Sequence, residues 1–140
     1  MAAGVDNPPA GWPRIVAHLI YEDLDHAVSW LCQAFGFEER AWARHLTDGR
    51  LSRTQLQVFD SVITLGWPSV HGQSPRQGVS SMLYVYVDDV EQHYARAQQH
   101  GATIVTPLAD KPWGDRAYQV RDPEGHQWTF AQHIGDAQEH

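Results

Sequence analysis

Features that define several large functional classes are scarce in this sequence. Its single cysteine, Cys32, excludes an internal disulfide and a cysteine-built zinc site. No apolar run approaches the roughly 20 residues that a membrane-spanning helix requires. The first residues have neither the basic nor the apolar segment typical of a signal peptide. We therefore expect a cytoplasmic protein that does not interact with a membrane.

Basic side chains are also few, since 10 Lys and Arg oppose 17 Asp and Glu for a formal net charge of −7. A protein that tracks a phosphate backbone needs clustered cations, so we expect no nucleic-acid partner, and a neutral or cationic ligand is the easier electrostatic choice. The sequence has no glycine-rich phosphate loop, no H-E-x-x-H spacing and no local Ser-His-Asp grouping. We therefore assign no catalytic residue.

Aromatic residues, in contrast, are abundant. The 140-residue chain is 42% apolar, which suits a single small globular protein, yet it holds six Trp and five Tyr. This is more aromatic surface than one small core needs. We therefore expect part of it to contact a ligand.

Hydrophobic periodicity predicts a strand, a helix and three further strands in the first half of the chain. Asp23 can cap the helix, and Gly36 can end it because glycine tolerates the left-handed conformation. Turns are predicted at Asp48-Gly49 and Asp60-Ser61. The predicted elements are a strand over 15–21, a helix over 23–35, and strands over 38–45, 51–59 and 62–67.

The same order of elements restarts in the second half of the chain. An offset of 66 residues places Asp23 on Asp89, which can cap the second helix, while Gly101 ends that helix. The elements are a strand over 81–87, a helix over 89–100, and strands over 102–108, 114–121 and 126–133. A tight turn joins the last two at Asp122-Pro123-Glu124-Gly125. The sequence therefore predicts an α+β protein in which a βαβββ unit occurs twice.

This duplication also predicts the domain organisation. The stretch between the two units is rich in Gly, Pro and Ser and has no sustained apolar period, as is typical of a linker. The predicted divisions are an N-terminal extension (1–12), a first unit (13–67), a linker (68–79), a second unit (80–134) and a tail (135–140).

Three motifs carry a family resemblance. They are Tyr84-Val85-Tyr86-Val87 before the second helix, Pro112-Trp113-Gly114, and Arg121-Asp122-Pro123-Glu124-Gly125. Together with the duplication, they resemble the vicinal oxygen chelate superfamily, which includes glyoxalases and dioxygenases, and the metal-free bleomycin-resistance proteins look most similar. The resemblance implies curved mixed sheets around a ligand cavity, helices on the outer face, and a homodimer.

The superfamily includes metal enzymes and metal-free binding proteins, so the metal positions help to separate the two. Carried over from the metal-using members, these positions fall on Val16, Thr64, Met82 and Thr129. None of these is a good ligand for a divalent ion, so we expect neither a metal nor another cofactor. His18 lies two residues beyond Val16 and therefore on the same face of the strand. The other eight histidines are scattered, with His126 and His133 expected in one strand.

Alternation along the strands separates two faces. The face expected to cover the helices carries Ile15, Ala17, Leu19, Leu83, Val85, Val87, Trp128 and Phe130. The opposite face, expected to line the cavity, carries Val16, His18, Ile20, Thr64, Met82, Tyr84, Tyr86, Thr129 and Ala131. Arg116 and Arg121 are expected to pair with Asp115, Asp122 or Glu124 at the surface.

The candidate ligand-binding residues are Trp113, Tyr84, Tyr86, Trp42, His18, Met82 and Thr64. Flat aromatic faces stack on flat heteroaromatic groups and also hold cations. The leading hypothesis is a non-catalytic protein that sequesters a planar aromatic antibiotic. Two alternatives remain: a metal-dependent enzyme with a relocated site on His18 and a histidine of the second unit, and a binding module for an ordinary metabolite.

Overall fold

Burial alternates along the longest strand of the first sheet, as expected for a strand with one face in the core. The computed structural model describes residues 6–67 and 81–135. In the strand Arg50–Val58, Thr54, Leu56 and Val58 are buried, whereas Arg53 is exposed and Gln55 is half-buried. The period of two places the buried side chains on one face and leaves a polar stripe on the other.

The first unit contains one helix and one mixed sheet. Its elements are β1 (His18–Ile20), α1 (Leu24–Phe35), β2 (Glu38–Glu39), a 3-10 helix (Ala41–Ala43), β3 (His45–Thr47), β4 (Arg50–Val58) and β5 (Ser61–Gly66). The sheet order is β1-β5-β4-β2, and β3 also pairs with β4. β1 runs parallel to β5, and the other pairs are antiparallel.

The second unit repeats this plan with longer strands. Its elements are β6 (Met82–Tyr86), α2 (Val90–Gln99), β7 (Thr103–Asp110), β8 (Asp115–Arg121) and β9 (Gln127–His133). The sheet order is β6-β9-β8-β7, with β6 parallel to β9. The described residues thus form two helices and nine strands in two mixed sheets, which confirms the predicted α+β class.

The chain divides into two compact units, and the division falls inside α1. One comprises Met1–Cys32 and Phe37–Ser74, and the other comprises Gln33–Gly36 and Pro75–His140. The last residues of α1 therefore belong with the second unit, where Phe35 packs on Phe130 with ring centroids 4.7 Å apart. The whole predicted linker (68–79), including His71, lies outside the described residues, as does His140.

The helix ends agree with the sequence prediction. The backbone N–H of His26 donates to Asp23 Oδ1, and that of Gln92 donates to Asp89 Oδ1, each at 3.1 Å. Gly36 and Gly101 follow the two helices with φ of 78° and 76°. These are the left-handed conformations that favour glycine at a helix C-terminus.

Three predicted boundaries in the first unit are wrong. The strand predicted over 38–45 is interrupted, because backbone hydrogen bonds from Ala43 to Arg40 and from Arg44 to Ala41 turn the chain into a 3-10 helix. The first strand covers only His18–Ile20, and the turn predicted at Asp60-Ser61 lies one residue earlier, with Phe59 at φ 55°.

The predicted core face is confirmed for Val87, Trp128 and Phe130 of the second unit, where Leu83 and Val85 are half-buried, and it is partly wrong in the first unit. Trp128 and Phe130 are buried, at 1% and 0% exposure. Ile15 was also predicted in the core but is 89% exposed, because the strand begins three residues later. Of the residues predicted on the cavity face, Thr129 and Ala131 are buried, but they lie opposite Tyr84 and Tyr86 in the β6–β9 ladder.

Candidate ligand-binding site

A buried carboxylate organises two exposed tyrosines in the second unit. Asp115 begins β8 and is only 1% exposed. The hydroxyl groups of Tyr84 and Tyr86, both on β6, donate to Asp115 Oδ2 at 2.5 and 3.0 Å. Since the tyrosines are two positions apart on one strand, their rings share a face, and they meet edge-on with centroids 5.4 Å apart.

Trp113 joins this pair from the loop before β8. Its indole N–H donates to the hydroxyl oxygen of Tyr84 at 3.2 Å, while the residue stays 52% exposed. Gly114 follows at φ 96°, a conformation that an L side chain adopts only with strain, and so helps to set the direction of the loop. We call Tyr84, Tyr86 and Trp113, with Asp115 beneath them, the aromatic cluster.

His133 supplies a third contact to the same carboxylate. It lies opposite Asp115 in the β8–β9 ladder, and its Nδ1 atom is 2.8 Å from Asp115 Oδ1. Both carboxylate oxygens are therefore hydrogen-bonded. This satisfies the rule that a buried charge needs partners and holds the tyrosine hydroxyls in place.

Burial and hydrogen bonding shift the proton equilibria of the aromatic cluster. Burial and the hydrogen bond to Asp115 raise the pKa of Tyr84 to about 12, and the bond to Asp115 raises the pKa of Tyr86. For Asp115, burial raises the pKa, but hydrogen bonds from Tyr84, His133 and Tyr86 outweigh it and hold the pKa below its usual value. At neutral pH the cluster is a carboxylate below two protonated phenols.

The first unit has a different pair of side chains at the matching place in its sheet. His18 lies opposite Thr64 in the β1–β5 ladder, as Tyr84 lies opposite Thr129 in the β6–β9 ladder. His18 Nδ1 is 2.6 Å from Thr64 Oγ1. The family resemblance placed the metal positions of the two first strands at Val16 and Met82. In the strand ladders, however, the residues opposite Thr64 and Thr129 are His18 and Tyr84.

These pairs do not fit a divalent metal. One offers a single imidazole with a hydroxyl, and the other a phenol with a buried threonine whose Oγ1 lies 3.0 Å from Met82 Sδ. A divalent ion needs several imidazole or carboxylate ligands that converge on one point. Within residues 6–67 and 81–135, no group of three or more His, Cys, Asp or Glu is arranged to hold a metal.

The remaining predicted site residues do not join the aromatic cluster through hydrogen bonds. Met82 lies on the same strand and is 41% exposed, with its sulfur accepting from Thr129. Trp42 belongs to the first unit, where it is 75% exposed and its ring lies 4.7 Å from the Arg40 guanidinium. His18 and Thr64 also belong to the first unit.

The sequence analysis missed Asp115 and His133 as parts of the site. It placed Asp115 only as a partner for arginine, but Arg116 pairs instead with Asp110 and Glu91, each at 2.7 Å. The available signal was an acidic residue two positions after Trp113, at the start of a strand. Its partners are far along the chain, so local patterns do not reveal them.

Comparison with known proteins establishes the family. The model of the glyoxalase/bleomycin resistance protein/dioxygenase superfamily matches residues 13–130, and the chain belongs to this superfamily. An uncharacterized protein of Mycobacterium tuberculosis (strain H37Rv) is 31% identical over 129 residues, covering 87% of this chain and 75% of the relative.

Solved structures share the fold. TioX from Micromonospora sp. ML1 is 36% identical with a TM-score of 0.71, and the match covers 86% of this chain and 98% of TioX. A glyoxalase/bleomycin resistance protein/dioxygenase family enzyme from Burkholderia phytofirmans PsJN has a TM-score of 0.72, covering 89% of this chain and 98% of that one. At 16% identity, this second likeness concerns the fold alone. Neither helix in the described part of the chain has the length and apolarity needed to span a membrane.

Proposed function

We propose that this protein is a non-catalytic binding protein that sequesters a planar aromatic antibiotic and thereby confers resistance to it. The observation that carries the proposal is the aromatic cluster, in which three large side chains stay 40–57% exposed although each is held by a hydrogen bond. Exposed aromatic surface held in this way is costly for a protein unless a ligand covers it.

The hydrogen bonds to Asp115 restrict the tyrosine rings before any ligand arrives. Side chains that are already ordered lose less conformational freedom on binding, so more of the stacking energy contributes to affinity. Aromatic stacking contributes about 0.5–1.5 kcal/mol beyond the burial of apolar area. The net charge of −7 favours a ligand that is neutral or cationic. The superfamily also includes bleomycin resistance proteins, which supports an antibiotic as the ligand.

Replacement of Trp113 by alanine tests this proposal. A panel of peptide and glycopeptide antibiotics with planar chromophores, including bleomycin, would be titrated into the wild type while tryptophan fluorescence is recorded. We expect a panel member to quench the fluorescence and Trp113→Ala to weaken its binding about 5- to 150-fold, as loss of an aromatic anchor does. The free energy of unfolding should change little, since Trp113 is exposed.

Phe59→Ala is the matched control, because Phe59 is an aromatic residue of similar exposure in a turn of the first unit. It should bind like the wild type. Equal affinities of Trp113→Ala and the wild type would remove Trp113 from the site. The released ligand should be unchanged by mass spectrometry, and a mass change with turnover would show that the protein is an enzyme.

A further inference from the structure

A pocket of about 420 Å³ lies within the first unit. Its volume falls in the range of small-molecule sites. The lining residues are His18, Ala43, His45, Arg53, Thr54, Gln55, Thr64 and Leu65. All of them belong to the first unit, and none of them is a residue of the aromatic cluster.

Strand register explains why polar side chains converge there. His45 lies opposite Arg53 in the β3–β4 ladder, and Gln55 lies opposite Thr64 in the β4–β5 ladder. Arg53 and Gln55 are two positions apart on β4, so their side chains share a face. Thr64 in turn lies opposite His18. Four adjacent strands therefore carry these polar side chains on one face of the sheet.

The positive charge in this pocket is not neutralised by the described residues. Arg40, Arg44 and Arg50 of the same unit lie over tryptophan rings or pair with a carboxylate. For Arg53, the structure shows neither an ion pair nor a hydrogen bond to its guanidinium within residues 6–67 and 81–135. A guanidinium presents paired N–H donors that match a carboxylate.

The nearby carboxylate of Glu39 does not cancel this charge. Glu39 Oε2 accepts from Arg44 Nε and from Thr54 Oγ1, both at 2.7 Å, so it has its own cation. The net negative charge of the whole protein acts on this pocket from a distance, where solvent ions weaken it beyond about 8 Å at physiological salt, so it bears less on the pocket than the adjacent Arg53 does. The nearest uncompensated charge therefore decides which ligand the pocket prefers.

Gln55 adds a second requirement, a hydrogen-bond donor on the ligand. Its Oε1 atom is buried, and it is the one buried side-chain oxygen or nitrogen in the described residues that lacks a hydrogen-bond partner. A buried acceptor without a partner is unfavourable, and a ligand N–H or O–H would satisfy it. Because Gln55 lies two positions from Arg53, a donor close to a carboxylate in the same ligand suits both side chains.

We propose that this pocket binds a small carboxylic acid that carries an N–H group beside its carboxylate. Arg53 binds the carboxylate, with His45 as an additional donor, and Gln55 Oε1 accepts from the N–H. The inference does not depend on the aromatic cluster, because every residue it uses belongs to the first unit.

Pyrrole-2-carboxylate is a suitable probe, since its ring N–H adjoins the carboxylate. Its binding would be followed by NMR titration of the isotope-labelled protein, including the side-chain signals of Arg53 and Gln55. We expect the shifts to concentrate on the pocket residues. Pyrrole-2-carboxamide, which lacks the charge, and furan-2-carboxylate, which lacks the N–H, should each bind about tenfold more weakly.

Substitutions of Arg53 and of Gln55 test the two proposed ligand contacts separately. Arg53→Gln should weaken binding of pyrrole-2-carboxylate about 10- to 100-fold, as expected for loss of a charge-assisted hydrogen bond. Arg121→Gln, the same change at an exposed position of β8, is the control and should bind like the wild type. Gln55→Leu should abolish the preference for the pyrrole acid over the furan acid. Equal affinity in Arg53→Gln and the wild type, or shifts confined to the second unit, would overturn the proposal.

Discussion

Asp115 uses its charge differently from the exposed acidic residues of the second unit, of which Asp110 and Glu91 pair with Arg116 at the surface. Asp122 is the other buried carboxylate among the described residues of this unit, and it accepts from the Trp128 indole N–H and from two backbone N–H groups. Asp115 is buried and accepts only from neutral hydroxyl groups and a histidine nitrogen. The carboxylate therefore positions aromatic rings instead of forming an ion pair.

Folding changes the charge state of His93 in weak acid. Its Nε2–H donates to the Phe35 carbonyl oxygen at 3.0 Å, so Nδ1 accepts from the Tyr118 hydroxyl at 2.6 Å. Burial lowers the pKa of His93 to about 4. Both ring nitrogens are used by the neutral form, and protonation of Nδ1 would reverse the hydrogen bond with Tyr118, since Nδ1–H would then donate to the hydroxyl oxygen.

This predicts a loss of stability in weak acid. Between about pH 6.5 and pH 4 the unfolded chain binds a proton at His93 and the folded chain does not, so the free energy of unfolding falls as the pH falls through this window, by about 3 kcal/mol. Urea unfolding at several pH values would measure it. His93→Gln should flatten this part of the profile, whereas His100→Gln, at an exposed histidine, should not. An unchanged profile in His93→Gln would contradict the assignment.

At the scale of elements, the caps give the two helices their starting points. Asp89 accepts from the Gln92 N–H, one of the four N–H groups at a helix start that lack a partner within the helix. Asp89→Ala should therefore lower the free energy of unfolding by about 1 kcal/mol. Asp88→Ala makes the same chemical change one residue earlier, outside the cap, and should have little effect. Chemical denaturation of both variants would decide, and equal losses would show that Asp89 acts through charge alone.

Strand β4 shows how one element can serve the core and a site together. Leu56 and Val58 face the core, while Arg53 and Gln55 face the pocket. A strand has two faces with a period of two, so this division needs no irregularity in the backbone. The 3-10 helix before β3 matters too, because Ala43 lies in the pocket wall.

At the scale of the whole molecule, we propose that the protein forms a homodimer. Each sheet ends on one side at the first strand of its unit, β1 or β6. Edge strands with open hydrogen-bonding groups invite pairing, and β6 also exposes Met82 and Tyr86. Sedimentation equilibrium at micromolar concentration should give twice the chain mass of 15.8 kDa. A monomer alone would refute this prediction.

The sequence by itself determined the elements and the duplication of the βαβββ plan. Asp23 and Asp89 cap helices, Gly36 and Gly101 end them, and the apolar face of β9 is buried. All of these depend on neighbours within a few residues, so local chemistry is sufficient to predict them. The break in the strand predicted over 38–45 was not predicted: backbone hydrogen bonds within the stretch form the 3-10 helix, and a side chain from outside the stretch also reaches it. Arg40 lies between Trp42 and the distant Trp12.

Only the tertiary structure decided which side chains meet. Tyr84 and Asp115 are 31 positions apart, and His18 and Thr64 are 46 apart. Their contacts depend on the register between strands, and a slip of one residue would turn every side chain to the other face. Register is set by the combined packing of a whole sheet, which no short stretch of sequence contains. For this reason the sequence predicted Tyr84, Tyr86 and Trp113 as site residues but not the carboxylate that holds the two tyrosines.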